Sequence, residues 1–359
     1  MSAIDEVLFK RRGAVGFITL NRPKSLNALT LEMIRAIDPQ LDAWGSDNSI
    51  AAVVIQGVGD RAFCSGGDVL AIWQAGKSAK ARGVAEGLAT EFFREEYRLN
   101  RRIHRFPKPY IALIDGITMG GGVGLSIHGT FRVATERTRF AMPETAIGLF
   151  PDVGGGYFLP RLPGQIGRYL ALSGARLKAA DCLHSGLANA FVESADLTAL
   201  EAALAQADWT GEAAEVAKNI IAGFSKDPGK APLAAQQAQI DRIFGSETLD
   251  DILAALMAEE GDWAAETLKV LQSHSPTSMK VALEQLRRGS EIEFDEAMTM
   301  EYRMSQAFMA GHDFYEGVRA ILIDRDQAPK WDPATPDGVS EEVVARHFET
   351  LGPRELTFS

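Results

Sequence analysis

Cysteine is scarce in this 359-residue chain, which holds only Cys64 and Cys182. Two cysteines exclude a disulfide framework and a cysteine-rich metal site. Long apolar runs are missing too, since no segment approaches the roughly 18 residues of a membrane-spanning helix. The start, MSAIDEVLFKRRGAVGFITL, places charges ahead of a short alternating run and lacks a signal-type apolar stretch with a small-residue cleavage site. A basic excess is also absent: 37 Lys and Arg against 48 Asp and Glu leave a net charge of −11, spread along the chain. Nucleic acid and anionic membranes recruit clustered Lys and Arg, so neither is an expected partner. These absences lead us to expect a prokaryotic cytoplasmic location, or a mature form without a presequence.

The first half reads as strands alternating with helices. GFITLNRP (16–23) and AAVVIQGVG (51–59) are short β-branched runs closed by Pro or Gly. Between them Leu31, Ile34, Ile37, Leu41 and Trp44 recur at helical spacing. PYIALIDG (109–116) is a third strand, and FRVATERTRFAM (131–142) reads as a fourth. This alternation predicts an α/β fold. After about residue 190 strand-like runs nearly vanish. SPTSMKVALEQLRRG (275–289) is a capped helix with Met279, Ala282, Leu283 and Leu286 on one face. DEAMTMEYRMSQAFMAG (295–311) repeats the pattern through Ala297, Met300, Met304 and Phe308, a stripe that reads as core or subunit contact in preference to a ligand box. KWDPATPDGVS (330–340) is a loop before a last short helix. We therefore divide the chain into a core over 1–190 and a mainly helical region over 191–359.

Some motifs fail on inspection. Gly76-Lys77-Ser78 ends like a phosphate-binding loop, but its leading glycine would fall at Ala71. GLSIHG (124–129) has a Ser and a His without G-x-S-x-G spacing, and His128 reads as a helix-end residue. The six histidines show no ligand spacing. Two glycine-rich turns are more informative. AFCSGGDV (62–69) and ITMGGGVGLSIHG (117–129) each lie between a strand and a helix, where free N–H groups can meet negative charge. Together they could supply two donors to one oxyanion, as acyl chemistry requires.

These two turns, with NRPKSLNAL (21–29) and MPETAIGLFPDVGGG (142–156), resemble the crotonase, or enoyl-CoA hydratase/isomerase, superfamily. FFREEYRLN (92–100) and TMEYRMSQAFMAGHDFYEGVRAILIDRDQAPKW (299–331) resemble its 3-hydroxyisobutyryl-CoA hydrolase branch. The resemblance covers residues from about 10 to 335 and implies a crotonase-like ββα spiral core. It implies that the N–H groups of Gly67 and Gly121 hold the thioester oxygen. It places acyl-CoA along Lys24, Leu26, Ala62, Gly66 and Asp68. Hydratases carry two catalytic glutamates. One position matches Glu144 and the other falls at Gly124, which has no carboxylate. The hydrolase branch instead has an acid at Asp152, and Glu96 matches a substrate-contacting acid.

The expected reaction is hydrolysis of a short 3-hydroxyacyl-CoA, foremost 3-hydroxyisobutyryl-CoA in valine breakdown. Glu144 acts as nucleophile or as general base, two roles the sequence leaves open. The leaving group is a thiolate, so no metal or redox cofactor is expected, and coenzyme A enters as part of the substrate. The alternatives are an enoyl-CoA hydratase or isomerase and a non-catalytic acyl-CoA-binding protein. Crotonases often trimerise, so a homo-oligomer is compatible with the resemblance. Eight residues separate Glu144 from Asp152, about 26 Å if extended and about 12 Å if helical, so only a folded-back loop brings both to one thioester.

Overall fold

The computed structural model describes residues 6–82 and 87–358. Its residues group into two compact units that interleave along the chain. The first takes Met1–Gly67, Arg98–Ala141 and Arg176–Ala234; the second takes Asp68–Tyr97, Met142–Ala175 and Ala235–Ser359.

Among the described residues the first unit holds nine strands: β1 (Val7–Arg12), β2 (Val15–Leu20), β3 (Ala52–Gly57), β4 (Ala62–Cys64), β5 (Tyr110–Ile114), β6 (Ile117–Met119), β7 (Phe131–Ala134), β8 (Arg139–Ala141) and β9 (Ala190–Phe191). A six-stranded sheet runs β1-β2-β3-β5-β7-β9, and a three-stranded sheet runs β4-β6-β8. Only the β1–β2 pair is antiparallel. Consecutive strands thus alternate between the sheets: β3, β5 and β7 join the large one, while β4, β6 and β8 join the small one. In the large sheet β3 and β5 are buried on both faces, which explains their unbroken apolar runs. Val15, Phe17, Val54, Ile111, Leu113 and Val133 pack with Leu200, Leu204, Ala217 and Ile221 from the helices Leu197–Gln206 and Ala213–Phe224.

The run expected as one strand over 131–142 divides into β7 and β8. Its middle is polar, and those polar groups build a turn. Thr138 Oγ1 accepts from Thr135 N at 2.8 Å and donates to the Ile114 carbonyl at 2.7 Å. Arg137 pairs with Asp115 at the same turn. The helix Leu31–Ser46 forms where its spacing predicts, with Thr30 Oγ1 accepting from Met33 N at 3.2 Å. The second glycine turn is followed by only a short helix, Gly121–Gly124, and then by irregular turns.

The second unit is helical. Pro276–Gly289 starts as its sequence dictates, with proline in the first turn and Ser275 accepting from Ser278 N at 3.0 Å. Its Met279, Ala282, Leu283 and Leu286 are buried, as are Ala297, Met300, Met304 and Phe308 of the helix Phe294–Ala310. The methionine stripe is core. The segment 330–340 lacks α-helix and precedes the helix Glu341–Arg346.

Candidate active site

In the first unit, the NRPKSLNAL loop is tied to the first glycine turn. Leu26 O accepts from Ser65 N at 3.0 Å, and Leu29 N donates to Gly66 O at 2.8 Å. Leu26 and Asn27 have φ of 52° and 55°, a left-handed region that costs a branched side chain free energy. The buried Asn27 holds them there, donating through Nδ2 to Val58 O at 3.0 Å and Ala62 O at 2.8 Å. Lys24 projects as an exposed residue of the turn Pro23–Ser25. The structure therefore brings Leu26, Ala62 and Gly66 together and puts Lys24 at the loop's exposed end.

The second glycine turn lies beside the first. A Cβ added at Gly66 would stand 3.4 Å from Met119 O and 3.9 Å from Gly121 N. Gly121 is the first residue of its short helix, so its N–H has no partner within that helix. Among the described residues neither the Gly67 nor the Gly121 N–H has an acceptor. Gly124, where hydratases carry a glutamate, is a buried helix residue.

The second unit holds the acids. Glu144 opens the 3-10 turn Glu144–Ile147, and Leu149 N donates back to Glu144 O at 3.0 Å. Gly148 allows that reversal. Its φ is +71°, and a Cβ there would meet the Asp313 backbone at 2.3 Å. Thr145 secures the turn from behind, with Oγ1 3.0 Å from His274 Nδ1 and 3.2 Å from Leu172 O. The chain folds back as the two acids require, and Glu144 and Asp152 are each 5% exposed. Glu96, on the buried face of the helix Leu88–His104, is 2% exposed. Asp68 stands apart in role: its Oδ1 accepts from Ala71 N at 3.3 Å and so caps the helix Val69–Arg82.

Sequence reasoning missed three neighbours of these acids. Tyr97 donates to Asp152 Oδ2 at 2.9 Å. Glu301, fully buried, accepts from Gly154 N at 2.7 Å and Gly156 N at 2.8 Å. Gln285 Nε2 donates to Pro151 O at 2.7 Å and Glu301 Oε1 at 3.2 Å. The signal for Glu301 was present. It falls between Ala297 and Met304 at spacings of four and three, a carboxylate on the apolar stripe.

Such crowding reshapes the electrostatics. Burial, then the charges of Asp152, Glu144 and Glu301, push the Glu96 carboxyl well above its ordinary range. Burial and Asp152 do the same to Glu144. Burial raises Asp152 to about 7, against the hydrogen bond from Tyr97, which favours its charged form. Among the described residues Glu96 Oε1 and Glu144 Oε2 have no hydrogen-bond partner. Buried unpartnered acids with raised proton affinity are the equipment of general acid–base or nucleophilic chemistry near neutral pH.

The chain matches the family model for enoyl-CoA hydratase/isomerase over residues 15–348. It is 50% identical to the human protein named 3-hydroxyisobutyryl-CoA hydrolase, mitochondrial, with 99% of this chain and 92% of the relative covered. The zebrafish (Danio rerio) protein of that name is also 50% identical, over 98% of this chain and 91% of its own. Among solved structures, a carnitinyl-CoA dehydratase from Mycobacterium thermoresistibile superposes with a TM-score of 0.90 at 40% identity, covering 99% of each chain. An enoyl-CoA hydratase from Rhodobacter sphaeroides gives 0.89 at 40% identity, covering 98% of this chain and 100% of its own. One expectation is corrected by these relatives. A prokaryotic cytoplasmic location does not stand, because the relatives sharing half their residues with this chain are named mitochondrial and come from eukaryotes. A charge pattern at the start of a chain is too weak a signal to weigh against that. The alternation of strands between two sheets, the two glycine turns and the matched length agree: the chain belongs to the enoyl-CoA hydratase/isomerase, or crotonase, family.

Proposed function

We propose that this chain hydrolyses 3-hydroxyisobutyryl-CoA to 3-hydroxyisobutyrate and coenzyme A, a step of valine breakdown. One observation carries the choice of hydrolysis over hydration. Glu144 is buried with an unpartnered oxygen, while Gly124 stands where a hydratase needs its second glutamate. The names of half-identical relatives support the substrate.

In the proposed reaction the N–H groups of Gly67 and Gly121 stabilise the oxyanion that forms when the thioester carbonyl is attacked. Glu144 either attacks the carbonyl carbon, expelling the CoA thiolate and leaving an anhydride that water opens, or removes a proton from the attacking water. In either route, burial makes the ionised Glu144 more reactive than an exposed carboxylate. Asp152 binds the substrate hydroxyl or passes a proton to the departing group, and Glu96 contacts the acyl portion. Lys24, Leu26, Ala62, Gly66 and Asp68 are proposed to line the acyl-CoA chain. The thiolate leaves without a metal or redox cofactor.

A hydratase reading is favoured by the names of the solved structures at 40% identity. Thiol release separates the two, because hydrolysis liberates coenzyme A and hydration does not. We expect free thiol from 3-hydroxyisobutyryl-CoA and no hydration of crotonyl-CoA. Hydration without thiol release would refute the hydrolase reading.

A further inference from the structure

The residue after Asp152 is in the wrong conformation for its type. Val153 has φ of +51°, which a β-branched side chain enters only at a cost in free energy, and Gly154 follows at +91°. Strain of this kind persists where the surroundings over-determine it. Here they do. Glu301 spends both carboxylate oxygens on the Gly154 and Gly156 N–H groups, at 2.7 and 2.8 Å. Gln285 holds the other side of Asp152 by donating to Pro151 O at 2.7 Å, and braces Glu301 Oε1 at 3.2 Å. Asp152 O itself accepts from Gly155 N at 2.8 Å. Asp152 is therefore gripped at the residue before it and at two residues after it.

The choice of an acid for this grip needs explaining. Burying a carboxylate without a cation is costly, and facing it with another carboxylate adds repulsion. Burial first, and Asp152 among the further causes, raise Glu301 to about 8. A neutral amide could meet only one of the two N–H groups, because its nitrogen donates and does not accept. We propose that Glu301 is a positioning residue of the hydrolysis, fixing the orientation of the Asp152 carboxylate through the Gly154 and Gly156 amides. The inference rests on the role given to Asp152 above.

The two acids also meet through charge. Asp152 ionises ahead of Glu301, at about 7 against about 8, so beyond burial it is the Asp152 charge that raises Glu301. The titratable groups facing Asp152 are Tyr97 and Glu96 from the helix Leu88–His104, Glu144 from its 3-10 turn, and Glu301 from Phe294–Ala310. Glu301→Gln should therefore lower kcat through lost orientation of Asp152 and leave the Asp152 limb of the pH–kcat profile near its place. A residue that only held up the fold would cost as much activity in an Asp152→Asn background as in the wild type.

The test compares wild type, Glu301→Gln, Asp152→Asn and the double variant, with kcat and KM for 3-hydroxyisobutyryl-CoA across the neutral range. Glu301→Gln should lower kcat by about tenfold or more, with KM changed by less than about threefold. In the Asp152→Asn background the same change should cost less than about twofold further, because its route runs through Asp152. Equal losses in both backgrounds would overturn the proposal, as would near-normal kcat in Glu301→Gln. Wild-type turnover in Asp152→Asn alone would instead overturn the role of Asp152, and the inference with it. If circular dichroism shows Glu301→Gln unfolded, Gln285→Met replaces it, since it removes the brace at similar length. A smaller loss that again vanishes in Asp152→Asn supports the proposal, and an additive loss overturns it.

Discussion

Tyr97 donates its phenolic hydrogen to Asp152 across 2.9 Å, and both side chains are buried. The bond stabilises the charged carboxylate, so it holds the Asp152 proton affinity below the value burial alone would give. Tyr97→Phe should therefore raise the pKa of Asp152 beyond about 7. The corresponding limb of the pH–kcat profile should move to higher pH. A profile that stays in place would remove Tyr97 from the control of Asp152.

Glu144→Gln keeps the shape of the turn and removes the reactive carboxylate. We expect an intact fold, a kcat lower by several orders of magnitude and a modest change in KM. Wild-type turnover in the folded variant would contradict the role of Glu144.

Gly121 begins its helix, and proline is tolerated at a first helical position because it lacks only an N–H that the helix does not use. Gly121→Pro should thus remove one oxyanion donor at limited structural cost. Loss of such a donor typically lowers rate by about 10²–10³-fold. The folded state is checked first by circular dichroism. A loss smaller than about fivefold would show that this N–H does not serve the reaction.

Gly148 makes a prediction about stability. Its left-handed φ and the 2.3 Å approach of the Asp313 backbone leave no space for a methyl group. Gly148→Ala should destabilise the protein by roughly 2–5 kcal/mol, combining backbone strain with overpacking. Urea unfolding measures it, and a change below about 1 kcal/mol would mean that the turn relaxes freely.

In the large sheet β2, β3 and β5 were legible because they are runs of apolar residues closed by Gly or Pro, whereas β1 and the two-residue β9 were not read as strands. The small sheet was not legible. Its strands β4, β6 and β8 have three residues each, too few for any periodicity to emerge. The polar turn at Thr135–Thr138 looked like a weak stretch of one strand because its hydrogen bonds reach Ile114, distant in sequence. The acids divide in the same way. Glu144 and Asp152 were named through family resemblance, and their proximity followed from the Gly and Pro between them. Glu301 shows only as a carboxylate on an apolar stripe, and its partners do not show, because the glycines it binds lie 145 and 147 residues away. No local pattern announces such a bond, and a lone acid in a methionine stripe was read as part of a core helix.

Because each unit is assembled from three separate stretches of chain, neither can be completed by the ribosome in one continuous run. The first closes only when residue 234 has been made, and the second waits for Ala235–Ser359. Glu96, Glu144 and Asp152 are therefore synthesised long before Gln285 and Glu301. A nascent chain carries these acids without the bonds that later grip the Asp152 loop, so that site matures late, after release of its last helices. Truncation from the carboxyl end should accordingly erase activity well before it erases the first unit's strands.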